Sequence, residues 1–313
     1  MQRIVVLGSL NIDLVLPVDR LPRPGETLTG GDLALFEGGK GANQACAVGR
    51  LGGTVTMIGQ VGADAFATRL VDTLRAAGVD PSGIGASGRP TGSACISVLP
   101  DGENTIVISP GANATLSPEI ALERLRAAAP YSFLLAQLET PMATVVAAFA
   151  EAKRSGATTI LDPAPVQPLP ADLIPYIDFI TPNQSEAAAL LGSAWEIRDF
   201  DAARAAADAL LRAGYRGVVL KLGQLGCYVA AGGARAAVPA FEVAAMDTTA
   251  AGDTFNGAFA VSLAEGAGIE EAALFANAAA AISVTRPGAQ NSVPARAEVE
   301  QLLAARRKVA CSR

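Results

Sequence analysis

The sequence predicts an α/β protein in which helices cover a mostly parallel sheet and a smaller sheet lies outside it. Along most of the 313 residues, short apolar runs alternate with longer helical patterns, which is typical of a parallel sheet with crossover helices. Two stretches depart from this alternation. Turn residues interrupt 12–36, and 92–109 alternates around a Pro-Asp-Gly-Glu turn, as hairpins do. We expect these two stretches to form the smaller sheet.

The individual elements are predicted from apolar runs bounded by glycine, proline and polar residues. The first half predicts, in order, a strand over 3–8, extended pieces over 14–18 and 27–36, a helix over 42–51, a strand over 54–58, a helix over 63–77, and a hairpin over 92–109. The second half predicts strands over 131–137, 158–161, 178–181 and 217–222, a hairpin over 227–238, and helices beginning near 141, 184, 251, 270 and 295. No linker or repeat divides the chain, so we expect one domain over 1–313.

Composition indicates an ordinary enzyme rather than a nucleic-acid or membrane protein. Half of the residues are hydrophobic, only 5% are aromatic, and the net charge is −6, so the core is expected to be aliphatic. No basic run and no apolar segment of about 18 residues is present, which argues against nucleic-acid and membrane partners. The four cysteines lack metal-binding spacing and no export signal is evident, so we expect reduced thiols in a cytoplasmic protein.

The chain contains no histidine. Mechanisms that need a histidine base, nucleophile or zinc ligand are therefore excluded. Proton abstraction is left to Asp, Glu, Lys, Tyr or Cys.

The most informative motif is the string over 247–257, where a turn of small residues runs into an apolar helix. Ala250, Ala251 and Gly252 allow successive backbone N–H groups to point into one concavity at the start of that helix, which favours an anion. Asp253 would repel the anion unless it accepts a proton from a hydroxyl that attacks it. The alternative is that Asp253 is an ordinary helix N-cap.

A second string over 36–45 contains three glycines around Lys40 and Asn43. Together with 247–257 it resembles the ribokinase-like (PfkB) family of ATP-dependent sugar and nucleoside kinases, and within that family the ribokinases. Shorter matching pieces follow the family's order along essentially the whole chain, at 110–113, 137–139, 181–183 and 285–290. The resemblance implies a three-layer ribokinase-like fold with a β lid formed by about 12–36 and 92–109. It also implies transfer of the γ-phosphoryl group of ATP to the 5-hydroxyl of D-ribose.

The resemblance assigns a set of residues to the sugar, and their chemistry suits that role. Amides, carboxylates and an ammonium group exchange hydrogen bonds with adjacent hydroxyls, and glycines let the backbone come close. The implied sugar-binding residues are Asn11, Asp13, Gly39, Lys40, Gly41, Ala42, Asn43, Glu139 and Asp253. The alternatives are a turn after the first strand for Asn11 and Asp13, and an ordinary helix N-terminus for Lys40 and Asn43.

The resemblance also assigns the nucleotide and magnesium. The implied ATP-binding residues are Asn183, Lys221, Leu222, Gly223, Gln224, Leu225, Gly226, Gly252, Asp253 and Asn277, with the anion hole at Ala250, Ala251 and Gly252. Glycines 223 and 226 would equally suit a hairpin turn. Glu186 is implied to contact Mg²⁺ through water, and Gln184 stands where many relatives carry Glu.

A monovalent cation site, expected to hold K⁺, is implied beside the anion turn. The resemblance assigns it, largely through backbone oxygens, to Asp247, Thr249, Ser283, Arg286, Gly288 and Ser292.

The resemblance further implies a homodimer in which the lids pack on each other. An apolar lid face would favour this contact, and its candidate residues are Leu14, Leu16, Ile96, Val98 and Ile106. Two other functions stay open: a kinase for deoxyribose, fructose or a nucleoside such as adenosine, and a catalytically silent sugar sensor. The presence of Asp253, Asn183 and Glu186 argues against the sensor.

Overall fold

The computed structural model describes residues 2–192 and 194–311. Its strands are β1 (Ile4–Leu7), β2 (Asn11–Pro17), β3 (Ala34–Gly38), β4 (Val55–Val61), β5 (Val79–Ala86), β6 (Gly92–Val98), β7 (Asn104–Ser109), β8 (Phe133–Ala136), β9 (Thr158–Leu161), β10 (Phe179–Ile180), β11 (Gly217–Lys221), β12 (Gly226–Ala231) and β13 (Ala234–Pro239). Its α-helices are α1 (Lys40–Arg50), α2 (Ala65–Ala76), α3 (Pro118–Ala128), α4 (Met142–Arg154), α5 (Gln184–Leu190), α6 (Phe200–Arg212), α7 (Ala251–Ala264), α8 (Ile269–Ser283) and α9 (Arg296–Cys311).

The main sheet has nine strands in the described residues, in the order β13-β12-β11-β10-β9-β8-β1-β4-β5. All strands from β11 to β5 are parallel, while β12 and β13 are antiparallel hairpin strands at one edge. The predicted central, mostly parallel sheet is therefore confirmed. Its parallel strands end at one common edge, which is where such sheets carry their ligand sites.

Helices cover both faces of the main sheet, because successive residues of each strand point to opposite sides. In β1, Ile4 and Val6 join the core cluster formed with α1, α7 and α8. Val5 and Leu7 join the other cluster, formed with α3, α4 and α6. The three-layer arrangement expected from the sequence is thus the observed one.

A separate sheet, here called the small sheet, consists of β3, β2, β6 and β7 in that order. It comes from the two stretches predicted for it. Within 27–36, however, regular pairing begins only at Ala34. The preceding segment has glycines at 30 and 31 and lies outside the strand, in keeping with the cost of glycine inside a strand.

The register of the small sheet corrects the predicted apolar face. Leu14 pairs with Cys95, whereas Ile96 pairs with Val15 and with Ile106. Since paired residues share a face and neighbours alternate, Leu14 and Leu16 lie on the opposite face from Ile96, Val98 and Ile106. The five residues do not form one apolar surface.

Three described elements were missing from the sequence prediction: β5, α3 and α6. Strand β5 contains Pro81 and two glycines, and proline is tolerated only where a strand lies at an edge. It does lie at the edge, next to a register shift between Thr56 and Ile58 of β4.

Among the described residues, no helix combines the length and hydropathy needed to span a membrane.

Candidate active site

A cleft of about 540 Å³ lies at the carboxyl edge of the main sheet. Asp162 follows β9, Asn183 follows β10 and Lys221 ends β11, so three neighbouring strands deliver polar side chains to one place. The first residues of α1 and α7 complete the cleft with Lys40 and Asp253. Sheet topology therefore gathers residues that are far apart in sequence.

The turn before α7 has an unusual backbone at Ala250. Its φ of 56° and ψ of 16° are left-handed, and it is the one non-glycine residue with positive φ in the described part of the chain. Such strain is concentrated at functional sites. Ala250 is the N-cap, without a side-chain capping bond, so the amides of Ala251, Gly252 and Asp253 lie in the first turn, where N–H groups lack intrahelical acceptors. The turn is therefore suited to an anion.

Asp253 is not the N-cap of α7. Its carboxylate is 5% exposed and is held from the facing helix: Oδ2 accepts from Asn43 Nδ2 at 3.0 Å, and Oδ1 accepts from Gln44 Nε2 at 3.0 Å. Close helix contact makes this possible. A Cβ added at Gly257 would lie 2.5 Å from Ala47 Cβ, so glycine is required where α7 crosses α1.

The N-terminus of α1 is held equally tightly against the start of β2. A Cβ at Gly39, whose φ is +88°, would lie 2.7 Å from the nitrogen of Asn11, and one at Gly41 would lie 2.6 Å from the carbonyl carbon of Gly8. Glu139 accepts from the backbone N–H of Lys40 at 3.2 Å. These contacts place Asn11, Lys40 and Glu139 around one space.

Four carboxylates act on the Lys40 ammonium group in that space, namely Asp253, Asp162, Glu139 and Glu186. The Asp253 carboxylate is the main cause that raises the pKa of Lys40, and burial of the ammonium group opposes this rise. Burial, Glu139 and Asp253 together raise the pKa of Asp13 to about 7. Burial also raises the pKa of Asp253, against the opposing effect of Lys40. Carboxylates are thus crowded in this space, which disfavours their charged forms.

Of the residues predicted for the sugar, the structure brings together Asn11, Asp13, Lys40, Asn43, Glu139 and Asp253. Ala42 acts through its backbone, whose N–H donates to Ser9 O at 2.9 Å and fixes the start of α1. Gly39 and Gly41 provide the close approach already described.

Only part of the predicted ATP set lies at the cleft. Asn183, Lys221, Gly223, Gly252 and Asp253 line it. A Cβ built on Gly252 would lie 3.4 Å from Lys221 Nζ. The ammonium group of Lys221 therefore stands beside the anion turn. It also pairs with Asp162 at 3.0 Å.

The remaining members of that set lie away from the cleft lining. Leu222 is buried and Gln224 is exposed, and Leu225 is 37% exposed. Gly226 begins β12 with φ +106°, and a Cβ there would lie 2.2 Å from Val238 O, which is the hairpin role that the sequence left open. Asn277 donates from Nδ2 to the same carbonyl at 2.8 Å.

Asn183 and Glu186 form a capping box at the start of α5. Asn183 Oδ1 accepts from the N–H of Glu186 at 2.8 Å, and Glu186 Oε2 accepts from the N–H of Asn183 at 2.7 Å. Both residues also line the cleft. Burial raises the pKa of Glu186 despite the nearby Lys221. Gln184 donates to Ile197 O at 2.7 Å, which gives it a structural function of its own.

Asp247 organises part of the predicted cation site. Its Oδ1 accepts from the N–H of Thr249 at 2.9 Å and its Oδ2 from the N–H of Gly288 at 2.8 Å. Other members are engaged elsewhere: Arg286 pairs with Glu298, and Ser292 Oγ donates to Ala289 O. Ser283 Oγ donates to Ala280 O within α8. Through these two hydrogen bonds, Asp247 thus holds the segments at Thr249 and Gly288 together.

Sequence reasoning missed Asp162, Gln44 and Gln137. Gln44 Nε2 donates to Asp162 Oδ2 at 2.9 Å as well as to Asp253, and its Oε1 accepts from Gln137 Nε2 at 2.7 Å. Asp162 and Gln137 both follow a parallel strand directly, a signal present in the sequence. Gln44 had no such signal, since only the α1–α7 contact reveals its partner.

Comparison with known proteins agrees with this geometry. The model of the "pfkB family carbohydrate kinase" matches residues 1–296. A ribokinase from Haemophilus influenzae is 42% identical over 301 residues, covering 96% of this chain and 98% of the relative. The ribokinase structure from Thermotoga maritima has a TM-score of 0.88 and 41% identity, covering 97% of this chain and all of that one.

The structure of Arabidopsis thaliana ribokinase in complex with ribose and ATP has a TM-score of 0.90 and 33% identity. It covers 96% of this chain and 98% of that chain. The resemblance stated from the two signature strings is therefore confirmed. The chain belongs to the pfkB family of carbohydrate kinases.

Proposed function

We propose that this protein is a ribokinase, which transfers the γ-phosphoryl group of ATP to the 5-hydroxyl of D-ribose to give ribose 5-phosphate and ADP. The observation that carries this is the position of the Asp253 carboxylate. It is buried, held by Asn43 and Gln44, and adjoins the amides of the first turn of α7. The supporting comparisons are full-length relatives that are ribokinases.

In this proposal Asp253 orients the attacking hydroxyl and accepts its proton. Burial raises the pKa of Asp253, which makes its carboxylate a better base than an exposed Asp. In-line phosphoryl transfer has a loose transition state, so positioning matters more than base strength. The amides of Ala251, Gly252 and Asp253, with Lys221 beside them, stabilise the negative charge on the transferred group.

The sugar is proposed to occupy the space between the small sheet and the carboxyl edge of the main sheet. Asp13 and Glu139 accept hydrogen bonds from its hydroxyls, while Lys40 offsets the charge of Glu139 and Asp253. The small sheet acts as a lid that excludes water and so prevents hydrolysis of ATP. Asp13 lies on β2 of that sheet, so the lid carries part of the binding site.

The chemistry of the cleft fits Mg²⁺ bound together with the phosphates. Within the described residues no cluster of three or more His, Cys, Asp or Glu side chains is placed to hold a metal. Mg²⁺ commonly keeps several waters and relies on one or two carboxylates with substrate phosphates. Glu186 would hold such a water, and the ion would neutralise the phosphate charge.

A K⁺ ion is proposed in the loop organised by Asp247, where the donors are oxygens as a hard cation requires. Hydrogen bonds from Thr249 and Gly288 lower the pKa of Asp247 even though burial opposes them, so a negative charge remains there at neutral pH. We expect turnover to fall several-fold when K⁺ is replaced by tetramethylammonium at equal ionic strength. Equal rates in the two salts would remove the cation from the proposal.

The proposed activity is tested by measuring ADP formation with D-ribose, 2-deoxy-D-ribose, D-fructose and adenosine at matched concentrations, with ATP, Mg²⁺ and K⁺ present. D-ribose should give the highest kcat/KM. A higher value for another acceptor would reassign the substrate within the family. No ADP formation with any acceptor would favour the silent sugar sensor. We further propose that the protein acts in the cytoplasm, where ATP is available.

A further inference from the structure

Asn113 has no part in the mechanism proposed above, although it is 1% exposed and lies beside Asn11. It belongs to the 110–113 piece of the sequence and sits in the 3-10 turn Gly111–Thr115 that follows β7. Its side chain bonds the backbone of Leu10 twice: Oδ1 accepts from the N–H at 2.9 Å, and Nδ2 donates to the carbonyl at 3.2 Å. A backbone N–H only donates and a carbonyl only accepts, so this pairing fixes both ends of the Asn113 amide.

The orientation of Asn113 determines that of Asn11. Asn113 Nδ2 donates its second hydrogen to Asn11 Oδ1 at 2.7 Å. Because the donor is fixed, Asn11 must meet it with oxygen, and its own Nδ2 is turned away from Asn113. Among the described residues, no acceptor pairs with Asn11 Nδ2. This nitrogen is not completely buried, so it remains accessible to a ligand.

The backbone around the pair is shaped to leave room for it. Gly92 faces Asn11 in the register of β2 and β6. A Cβ at Gly92 would lie 2.2 Å from both Asn11 Oδ1 and Asn113 Nδ2. Gly111 has φ +50°, and a Cβ there would lie 2.4 Å from Pro90 O. Both glycines therefore permit the amide pair, and any larger residue at 92 would displace it.

We propose that Asn113 is a positioning residue that sets the hydrogen-bond polarity of the sugar site. By holding the oxygen of Asn11, it makes Asn11 present an N–H donor to one sugar hydroxyl, while Asp13 and Glu139 present acceptors. This inference rests on the proposed sugar kinase function and deepens it. A site built to bond a particular hydroxyl discriminates strongly against a sugar that lacks it, because the buried donor is then left unpaired.

Two substitutions reverse this polarity by different routes. In Asn113→Asp, one oxygen still accepts from Leu10 N–H, but the other now accepts from Asn11, so the Asn11 amide turns over. In Asn11→Asp, Asn113 keeps all its bonds and an oxygen replaces the N–H in the site. For D-ribose we expect KM to rise about 10- to 100-fold in both variants, with a smaller change in kcat.

The decisive measurement compares these variants across D-ribose and its 1-, 2- and 3-deoxy analogues. For the analogue that lacks the hydroxyl contacted by Asn11, the ratio of variant to parent KM should fall close to one, and it should be the same analogue in both variants. Asn104→Asp, the same exchange at an exposed position of the small sheet, should leave every KM unchanged. Gly92→Ala should reproduce the loss for D-ribose.

A purely structural function for Asn113 predicts a different outcome. Asn113→Asp would then lower the melting temperature and reduce activity equally for all four sugars, whatever pattern Asn11→Asp shows. That result overturns the inference while leaving the kinase activity of the parent protein intact. A parent protein that phosphorylates none of the sugars would instead overturn the proposed function. If Asn113→Asp does not fold, Gly92→Ala decides, because it displaces the Asn11–Asn113 pair while both amides remain. A loss that depends on the analogue supports the inference, and an equal loss for all four sugars overturns it.

Discussion

In the proposed mechanism, the chemistry depends most on the carboxylate of Asp253. Removing its negative charge keeps the shape of the side chain but removes the proton acceptor. We expect Asp253→Asn to lower kcat on the order of 10²- to 10⁴-fold, with the KM for D-ribose changed far less. The measurement is steady-state ADP formation, with Asp172→Asn, an exposed Asp in the same protein, as the matched control. Near-parental turnover in Asp253→Asn would exclude the base role.

In the proposed sugar site, the crowding of carboxylates around Asp13 affects its pKa and the stability of the fold. Its folded-state pKa of about 7 lies above the ordinary value of 3.8 for Asp because of burial, Glu139 and Asp253. The folded state therefore holds a proton that the unfolded state has lost, and the stabilisation present below pH 4 disappears as the pH rises through 7. At pH 8, burial of the charged Asp13 carboxylate therefore lowers the free energy of unfolding.

This predicts a pH-dependent stabilisation by Asp13→Asn. Allowing for partial exposure to solvent, the gain at pH 8 should be about 1–2 kcal/mol, or roughly 1.5–3 °C in melting temperature, and close to zero at pH 4. Thermal unfolding at the two pH values measures it. A gain of equal size at both would contradict the raised pKa. The same variant should lose kcat/KM for D-ribose, since the acceptor for a sugar hydroxyl is weakened.

At the scale of elements, the contact between α1 and α7 assembles the site. Its closest point is Gly257, where a Cβ would lie 2.5 Å from Ala47 Cβ and 2.9 Å from Gln44 O. We expect Gly257→Ala to push the helices apart, to destabilise the fold by about 1–3 kcal/mol, and to lower kcat because Asp253 moves from Asn43 and Gln44. Melting temperature and kcat are the measurements.

Two further variants test whether steric contact at residue 257 causes the losses of stability and kcat expected for Gly257→Ala. Adding Ala47→Gly to Gly257→Ala should restore part of both losses, because it removes the nearest atom. Gly88→Ala, where an added Cβ meets nothing within 4 Å, should leave both values unchanged. Failure of Ala47→Gly to restore anything would place the cause elsewhere.

Elements with a strong local pattern were predictable from sequence. The α7 string, the glycine-rich start of α1 and the hairpin of β6 and β7 each carry a local pattern that was visible in the sequence. Strand β5 was not predicted, since Pro81 and its glycines hide a strand that is tolerated only at an edge. The pairing of Asn43 with Asp253 spans 210 positions, and only the packing of α7 on α1 creates it. That is why Gln44 was missed although its neighbour Asn43 was named.

At the scale of the whole molecule, the small sheet leaves apolar groups uncovered. On its edge strand β7, Ile106, Val107 and Ile108 are 51%, 67% and 47% exposed. Exposed apolar edge strands pair with other chains unless they are protected, so we expect a homodimer through the small sheets. Solution scattering should give the mass of a dimer, and Val107→Lys should shift it towards monomer.

The matched control is Val166→Lys, which changes an equally apolar, 48% exposed residue outside the small sheet. Its mass should equal that of the parent. A parent protein that stays monomeric at working concentration would refute the dimer. Loss of the dimer in both variants would instead contradict the small sheet as its interface.

The position of β1 between β8 and β4 has a consequence for synthesis on the ribosome. Although β1 is made first, one of its two sides stays unpaired until β8, at Phe133–Ala136, has left the exit tunnel. Asp253 arrives later still, with α7. In the proposed mechanism, a nascent chain therefore holds Asn11, Lys40 and Glu139 well before α7 supplies the proton acceptor, Asp253.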